Sequence, residues 1–368
     1  MTIRKTKIFL CLCCLLTIFF ISGCDSREEK EVRNAVEEEL HLLKTADKGI
    51  ATQYIQSENL IQLSQNADIL SEDITHIFQL FYKNFSYKTG KISIKENHAL
   101  VRTKLKITDS KKLAKDFARL SLKKNIEQEA MPNGVTASSI ASYDLLRELL
   151  ESETYKTKTV SADISLKKEK EQWTVLHTSE LDDILTGHFF SYITDPGLLS
   201  PSEIVKTHFN VIKTFDSEQL KLYLSLDSLA DTGDSYSNAL IHAVTSQISH
   251  SFDFKIKEEI IEDTSAIVQT SITSVDFQRI FQRYQEELAK WLKTSEALAG
   301  GMEGRRQKEH ELLLSAVEKN EAVLSRDVKI PLINDGVNWK IQMTPELSQA
   351  IFGDMQDTLD TITGNSVS

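Results

Sequence analysis

The residues of this chain best equipped for chemistry are four cysteines and nine histidines. A thiolate can attack a carbonyl or bind zinc, and an imidazole can move a proton or hold a metal. Cys11, Cys13, Cys14 and Cys24 all precede Asp25, so the rest of the chain has no thiol for a disulfide, a nucleophile or a metal site. His98, His188, His242 and His250 show no ligand spacing, and neither an H-E-x-x-H nor a G-x-S-x-G pattern occurs. The glycine-rich stretch G-G-M-E-G-R-R from Gly300 joins two helical patterns and reads as a hinge, not as a phosphate loop after a strand. His177 remains, in Q-W-T-V-L-H, on the strand face that also carries Trp173 and Val175. It can act as a general base, or serve as a core or capping residue.

The phrase that holds His177 is written twice. Q-W-T-V-L-H-T-S-E-L-D-D-I-L-T-G from Gln172 matches N-W-K-I-Q-M-T-P-E-L-S-Q-A-I-F-G from Asn338. Each copy reads as a strand with Trp inward, a Thr that caps a helix, an acid in its first turn and a glycine stop. Further back, F-S-Y-K-T-G-K-I-S-I-K from Phe85 matches F-D-F-K-I-K-E-E-I-I-E from Phe252, and K-T-A-D from Lys44 matches K-T-F-D from Lys213. The offset is 167 between Phe85 and Phe252 and 166 between Trp173 and Trp339, so a tandem duplication is expected.

Each copy parses in the same order. Helices are expected from about Glu29 to Lys44 and Asp73 to Lys83 in the first copy, and near Pro201 to Lys213 and Ser237 to Ser249 in the second. Two alternating strands follow, placing Val101, Thr103, Leu105 and Ile107 inward, and Val268, Thr270 and Ile272 inward in the second copy. A helical hairpin comes next: Ser110 to Glu129 and Ala137 to Ser152 in one copy, Phe277 to Leu292 and Arg305 to Leu324 in the other, with the break at Gly300 to Gly304. Two strands and the repeated phrase close each copy. Pro331 falls inside the third strand and requires an edge, or a nitrogen facing solvent. The expected class is α+β: two tandem repeats, each a curved antiparallel sheet of about four strands packed with helices. The boundaries are 31–195 and 200–358, followed by a tail at 359–368.

This order resembles the domains of Gram-positive surface lipoproteins with the cone-shaped nuclear transport factor 2-like fold. The resemblance implies a curved sheet wrapped around a helix, leaving a concave pocket that the inserted hairpins could plug or cover. Thr103, Trp173 and His177 would line it in the first copy, and Thr270, Trp339 and Met343 in the second. Trp291, like the other two tryptophans, is read first as core and second as a pocket wall. Relatives of this fold include enzymes and plain binding modules, so the fold alone carries no activity. The inward positions are nearly all apolar, and no catalytic set, metal site or cofactor is expected.

The first line of sequence gives a location. Arg4, Lys5 and Lys7 precede an apolar run from Ile8 to Ile21, shorter than the roughly 20 residues of a membrane-spanning helix. Ile21-Ser22-Gly23-Cys24 then resembles a bacterial lipobox, in which the cysteine is lipidated and becomes the mature N-terminus. Residues 1–23 are the expected signal peptide and 24–30 a short tether, holding the protein on the outer face of the plasma membrane. The whole chain carries −11 and its first 23 residues +3, leaving −14 for the remainder. That balance excludes a nucleic-acid stripe and favours solubility or docking to basic surfaces. The expected function is a non-catalytic binding or interaction module of the cell envelope. Its partners would be the membrane, through the lipid, and an envelope protein; the alternative is a small ligand or peptide in a concave pocket. Metabolic labelling with a fatty acid is expected to mark the wild-type protein and not Cys24→Ala; equal label on both would contradict the anchor.

Overall fold

A computed structural model describes residues 27–45, 70–131, 142–224 and 235–354. Cys24, the leader and the tail at 359–368 lie outside them. The fold is α+β with two four-stranded antiparallel sheets, ordered β1-β2-β3-β4 and β5-β6-β7-β8. The first sheet comprises Ser86–Lys95, His98–Thr108, Thr157–Glu169 and Gln172–Val175. The second comprises Asp253–Glu262, Ser265–Val275, Val323–Asn334 and Trp339–Ile341.

Alternation dictates which face of each sheet is covered. Val101, Thr103, Leu105 and Ile107 on β2, and Val268, Thr270 and Ile272 on β6, are at most 1% exposed. Their outward neighbours Arg102, Lys104 and Lys106 are exposed. Helix α1 (Arg27–Thr45) packs on β1, β2 and β4 and buries Val32, Val36, Leu40 and Leu43, spaced three and four apart. α2 (Leu70–Phe81) leads into β1.

The chain forms two compact units by contact. One takes the residues up to Leu113 together with Leu146–Phe190, and the other takes Ala114–Leu145 together with those from Ser191 on. Helix α3 (Ser110–Glu129) therefore contributes most of its length to the second unit, whereas α4 (Ser142–Ser152) from Leu146 belongs to the first. The two helices expected between β2 and β3 are both present, but they are assigned largely to different units. The physical reason is an apolar stripe at every fourth residue of α3: Ile126 and Ala130 are buried in the second core, with Ala118 and Leu122 packed against it.

After β4 come α5 (Ser179–Leu185) and α6 (Phe189–Ile193). The second unit continues with α7 (Pro201–Thr214), α8 (Ser217–Tyr223) and α9 (Ser235–Ser251). Ser200 caps α7 in a reciprocal box with Glu203, and α7 packs on β5, β6 and β8.

The hairpin between β6 and β7 is present, and it is interrupted at two places, one expected and one not. α10 (Phe277–Trp291) ends at Trp291, and Thr294 caps α11 (Ser295–Glu318) by accepting from the Ala297 N–H. The expected glycine break is present as well: Gly301 (φ 56°, ψ −155°) leaves helical geometry and divides α11 in two, and β7 already begins at Val323. The unexpected break comes from a hydroxyl that caps a helix N-terminus, and the expected one from a glycine at positive φ.

Pro331 sits where its missing donor is harmless. Its carbonyl accepts from Gln342 N–H at 2.9 Å, just beyond the end of β8 at Ile341. The nitrogen of a strand residue points to the same side as its carbonyl, so here it faces the place where β8 has stopped.

The repeated phrase closes each unit in the same way. Thr178 and Thr344 accept from the N–H groups of Leu181 and Leu347, starting α5 and α12 (Pro345–Phe352). Gly187 (φ 65°) and Gly353 (φ 70°) follow these helices. A Cβ on Gly187 would lie 2.3 Å from the Thr108 carbonyl oxygen, and one on Gly353 2.6 Å from that of Val275. Both glycines dock against the end of the second strand of their sheet, where only a hydrogen fits. Gly187→Ala and Gly353→Ala are each expected to cost at least about 2 kcal/mol in urea denaturation, from positive φ and a backbone clash. Gly300→Ala, in open space on α11, should be neutral or stabilising by less than about 1 kcal/mol. Equal effects at all three positions would contradict this account.

Candidate functional site

The six residues expected to line concave pockets are placed differently from one another. Thr103 and Thr270 stand on the covered faces of their sheets, 0% and 1% exposed. The Thr103 hydroxyl reaches only the Val101 carbonyl, at 3.4 Å, and the Thr270 hydroxyl has no partner. Trp173 is 8% exposed with an unpartnered indole N–H, and the Lys168 ammonium lies 5.6 Å from its ring centroid. Met343 is 53% exposed, against the inward place expected for it. β8 ends two residues earlier, so strand alternation no longer governs its direction.

His177 is held by two carboxylates. Its Nε2 lies 3.1 Å from Glu39 Oε1 on α1, and its Nδ1 lies 3.1 Å from Asp182 Oδ1 on α5. The hydrogen bond to Glu39 leads in raising its pKa to about 9; burial opposes, and Asp182 adds to the rise. At neutral pH both ring nitrogens therefore donate, and the imidazolium joins the end of the last strand to α1 and α5. It offers no lone pair to a substrate.

Trp339 is the candidate that borders a cavity. A cavity of about 510 Å³ lies within the second unit, between α3, the segment from Ile193 to Leu199, the start of α7, and β8. α3 supplies two adjacent stripes: Ala118, Leu122 and Ile126 turn toward the core, while Phe117, Ser121, Asn125 and Glu129 border the opening. Trp339 and Ile341 form the facing wall, with Leu198, Leu199 and Ile204 beneath. A volume of this size falls in the range typical of small-molecule sites.

One carboxylate positions the α3 wall. Glu203 accepts from Lys115 Nζ at 3.0 Å, from Arg119 Nη2 at 2.5 Å and from the Ser200 N–H at 2.9 Å. Burial pushes its pKa upward, but the Ser200 amide, Lys115 and Arg119 together hold it below the usual range. The pairs are partly shielded from water, and they hold α3 against the N-terminus of α7.

The polar groups of the cavity are few. His208, on α7, lines it, and its Nε2 lies 3.0 Å from the Tyr223 hydroxyl. Burial lowers its pKa to about 4, so it is neutral at physiological pH. Burial, then the charge of Glu129, pushes Tyr223 up to about 12. With Lys44 set against Lys213, His208 takes the place that Glu39 holds on α1, just as Met343 takes that of His177. Where the first unit has an ion pair, the second has a neutral imidazole beside a cavity. Sequence reading missed His208, although its position four residues after Ile204, within the apolar stripe of α7, marks it as inward-facing. It also missed Glu129, since nothing local tells which core α3 will join.

Comparison with known proteins finds no matching family model and no matching curated protein. The crystal structure of a candidate lipoprotein, ycdA of Bacillus subtilis, aligns over 73% of this chain and 95% of its own, at 10% identity and a TM-score of 0.26. That likeness is too slight to carry fold or function across. Among the described residues, no helix is long and apolar enough to cross a membrane, and no group of three His, Cys, Asp or Glu is placed to hold a metal ion.

The clamp on His177 predicts a pH dependence. Its folded pKa is raised to about 9 from the ordinary 6.5, so its contribution is complete below 6.5 and is lost as pH rises through 9. The unfolding free energy of the wild type in urea denaturation should exceed that of His177→Gln at pH 6, by about 1–3 kcal/mol for two charge-assisted hydrogen bonds. The two should converge near pH 10, and a difference that grows with pH would contradict the clamp.

Proposed function

We propose that this chain is a lipid-anchored, extracytoplasmic binding protein of the cell envelope, without catalytic activity, that engages its partner at the cavity between α3 and β8. The observation that carries this reading is the contrast between closed sheet interiors and an open edge. Val101, Thr103 and Leu105 in one sheet, and Val268, Thr270 and Ile272 in the other, are covered. The cavity bordered by Trp339 is not filled by the described residues.

Three features support the rest of the reading. The basic flank, apolar run and Ile21-Ser22-Gly23-Cys24 favour a lipid anchor on the outer face of the plasma membrane. Strand order, the paired glycines and the repeated phrase favour a duplicated unit of the nuclear transport factor 2-like kind. The doubly held His177 speaks against general-base chemistry, because its proton is fixed by two acids. An envelope protein is the leading partner. The size and apolar lining of the cavity favour a small ligand as the second reading.

In vivo crosslinking followed by mass spectrometry tests the proposal. The wild type should yield a reproducible envelope adduct, and Ser121→Trp, which fills the cavity from α3, should lose it while keeping its circular dichroism. An adduct retained in full by Ser121→Trp places binding elsewhere and overturns the site.

A further inference from the structure

We propose that the cavity between α3 and β8 takes an amphiphilic amine: an apolar body lies between Leu122, Ile126 and Trp339, and a protonated nitrogen meets Glu129. This deepens the binding reading above and rests on it.

The argument begins with the walls. α3 offers Phe117, Leu122 and Ile126, and Trp339 and Ile341 stand opposite, so the interior accepts hydrocarbon. His208 borders this interior, and its one hydrogen bond among the described residues goes to Tyr223. Being uncharged at neutral pH, it neither repels a cation nor attracts an anion.

Charge at the cavity edge selects the head group. Glu129 is the last residue of α3, is exposed, and has no ion-pair or hydrogen-bond partner among the described residues. The C-terminal end of a helix carries a partial negative charge, and α3 has no basic residue in its last turn. A carboxylate there adds to a negative potential instead of offsetting it. The other charged residues of the lining are Asp195, which accepts from the Gly197 N–H at 2.8 Å, and Lys340, 4.0 Å from Asp335. The one cation already has an acid beside it, so the uncompensated charge of the cavity is negative. The indole of Trp339 on the facing wall is a further surface that attracts cations.

The arrangement discriminates among molecules of equal hydrophobicity. A fatty anion would bring its carboxylate to Glu129 and the helix terminus, whereas an alcohol would gain the hydrocarbon contact alone. An ammonium gains both.

Octylamine, octanol and octanoate share one chain length and serve as probes, titrated at pH 7 below their micellar range. The protein is used from residue 24 onward with Cys24→Ser, which keeps every described residue and leaves no lipid to compete. Isothermal titration calorimetry should show saturable octylamine binding at least tenfold tighter than octanol, with octanoate weakest. Glu129→Gln should bring octylamine to the octanol level while leaving octanol unchanged. Ser121→Trp should abolish binding of all three.

Octanoate bound as tightly as octylamine overturns the proposal, as does octylamine affinity unchanged in Glu129→Gln. Absence of saturable binding by any probe also overturns it. If the envelope adduct still depends on an unfilled cavity in that case, the amine is wrong and the binding reading stands.

Discussion

Each unit depends on one constraint: strands that alternate apolar and polar residues must have their apolar face covered. β2 from Ala99 to Ile107 and β6 from Ala266 to Ile272 place a branched or aliphatic side chain, or a threonine of similar shape, at every second position, and each strand pairs in unbroken register with the third strand of its sheet. Burial of a Val, Ile or Leu side chain contributes about 1.5–3 kcal/mol, so an uncovered row of them would forfeit much of a domain's net stability. α1 and α7 supply the cover, using the same spacing of three and four residues. The closing glycines follow from the same demand. They let the turn after the last helix press onto the end of the second strand.

The two units satisfy the constraint with different leftovers. In the first, the corner between its leading helix and the end of β4 is shut by Glu39, His177 and Asp182. In the second, the matching residues are His208 and Met343, which cannot form that pair. There the wall comes from α3, held at the N-terminus of α7 by Lys115 and Arg119 on Glu203. Two stripes on one helix then do separate work: Leu122 and Ile126 join the core, while Ser121, Asn125 and Glu129 edge the cavity. The first unit's ion pair gives rigidity and pH sensitivity. The second unit's neutral corner leaves room.

Much of the fold was legible because its signals are local. Alternation named the inward residues of β2 and β6, and the Thr caps, the Trp strands and the Gly stops stood in one repeated phrase. The span expected for α3 matches its observed limits, Ser110–Glu129. What could not be read was non-local. The spacing of Ala118, Leu122 and Ile126 says that α3 is buried on one side, but not against which core. The glycines mark a real departure from helix at Gly301, whereas the earlier break at Thr294 rests on a single capping hydroxyl that composition does not reveal. Of the proposed pocket residues, Trp339 borders a cavity, and Met343 fails because β8 is only three residues long. His208 and Glu129 carry no motif; their meaning comes from neighbours far away in sequence.

The central claim is that partners are met at the cavity between α3 and β8, while the sheet interiors stay closed. Hydrogen–deuterium exchange, compared between the protein in native envelope membranes and the purified lipidated protein in vesicles, tests it most directly. The account predicts added protection in envelopes confined to peptides covering 117–129 and 337–341, with β2 and β6 equally slow in both settings. Added protection centred on β2 or β6, with 117–129 unchanged, would contradict it.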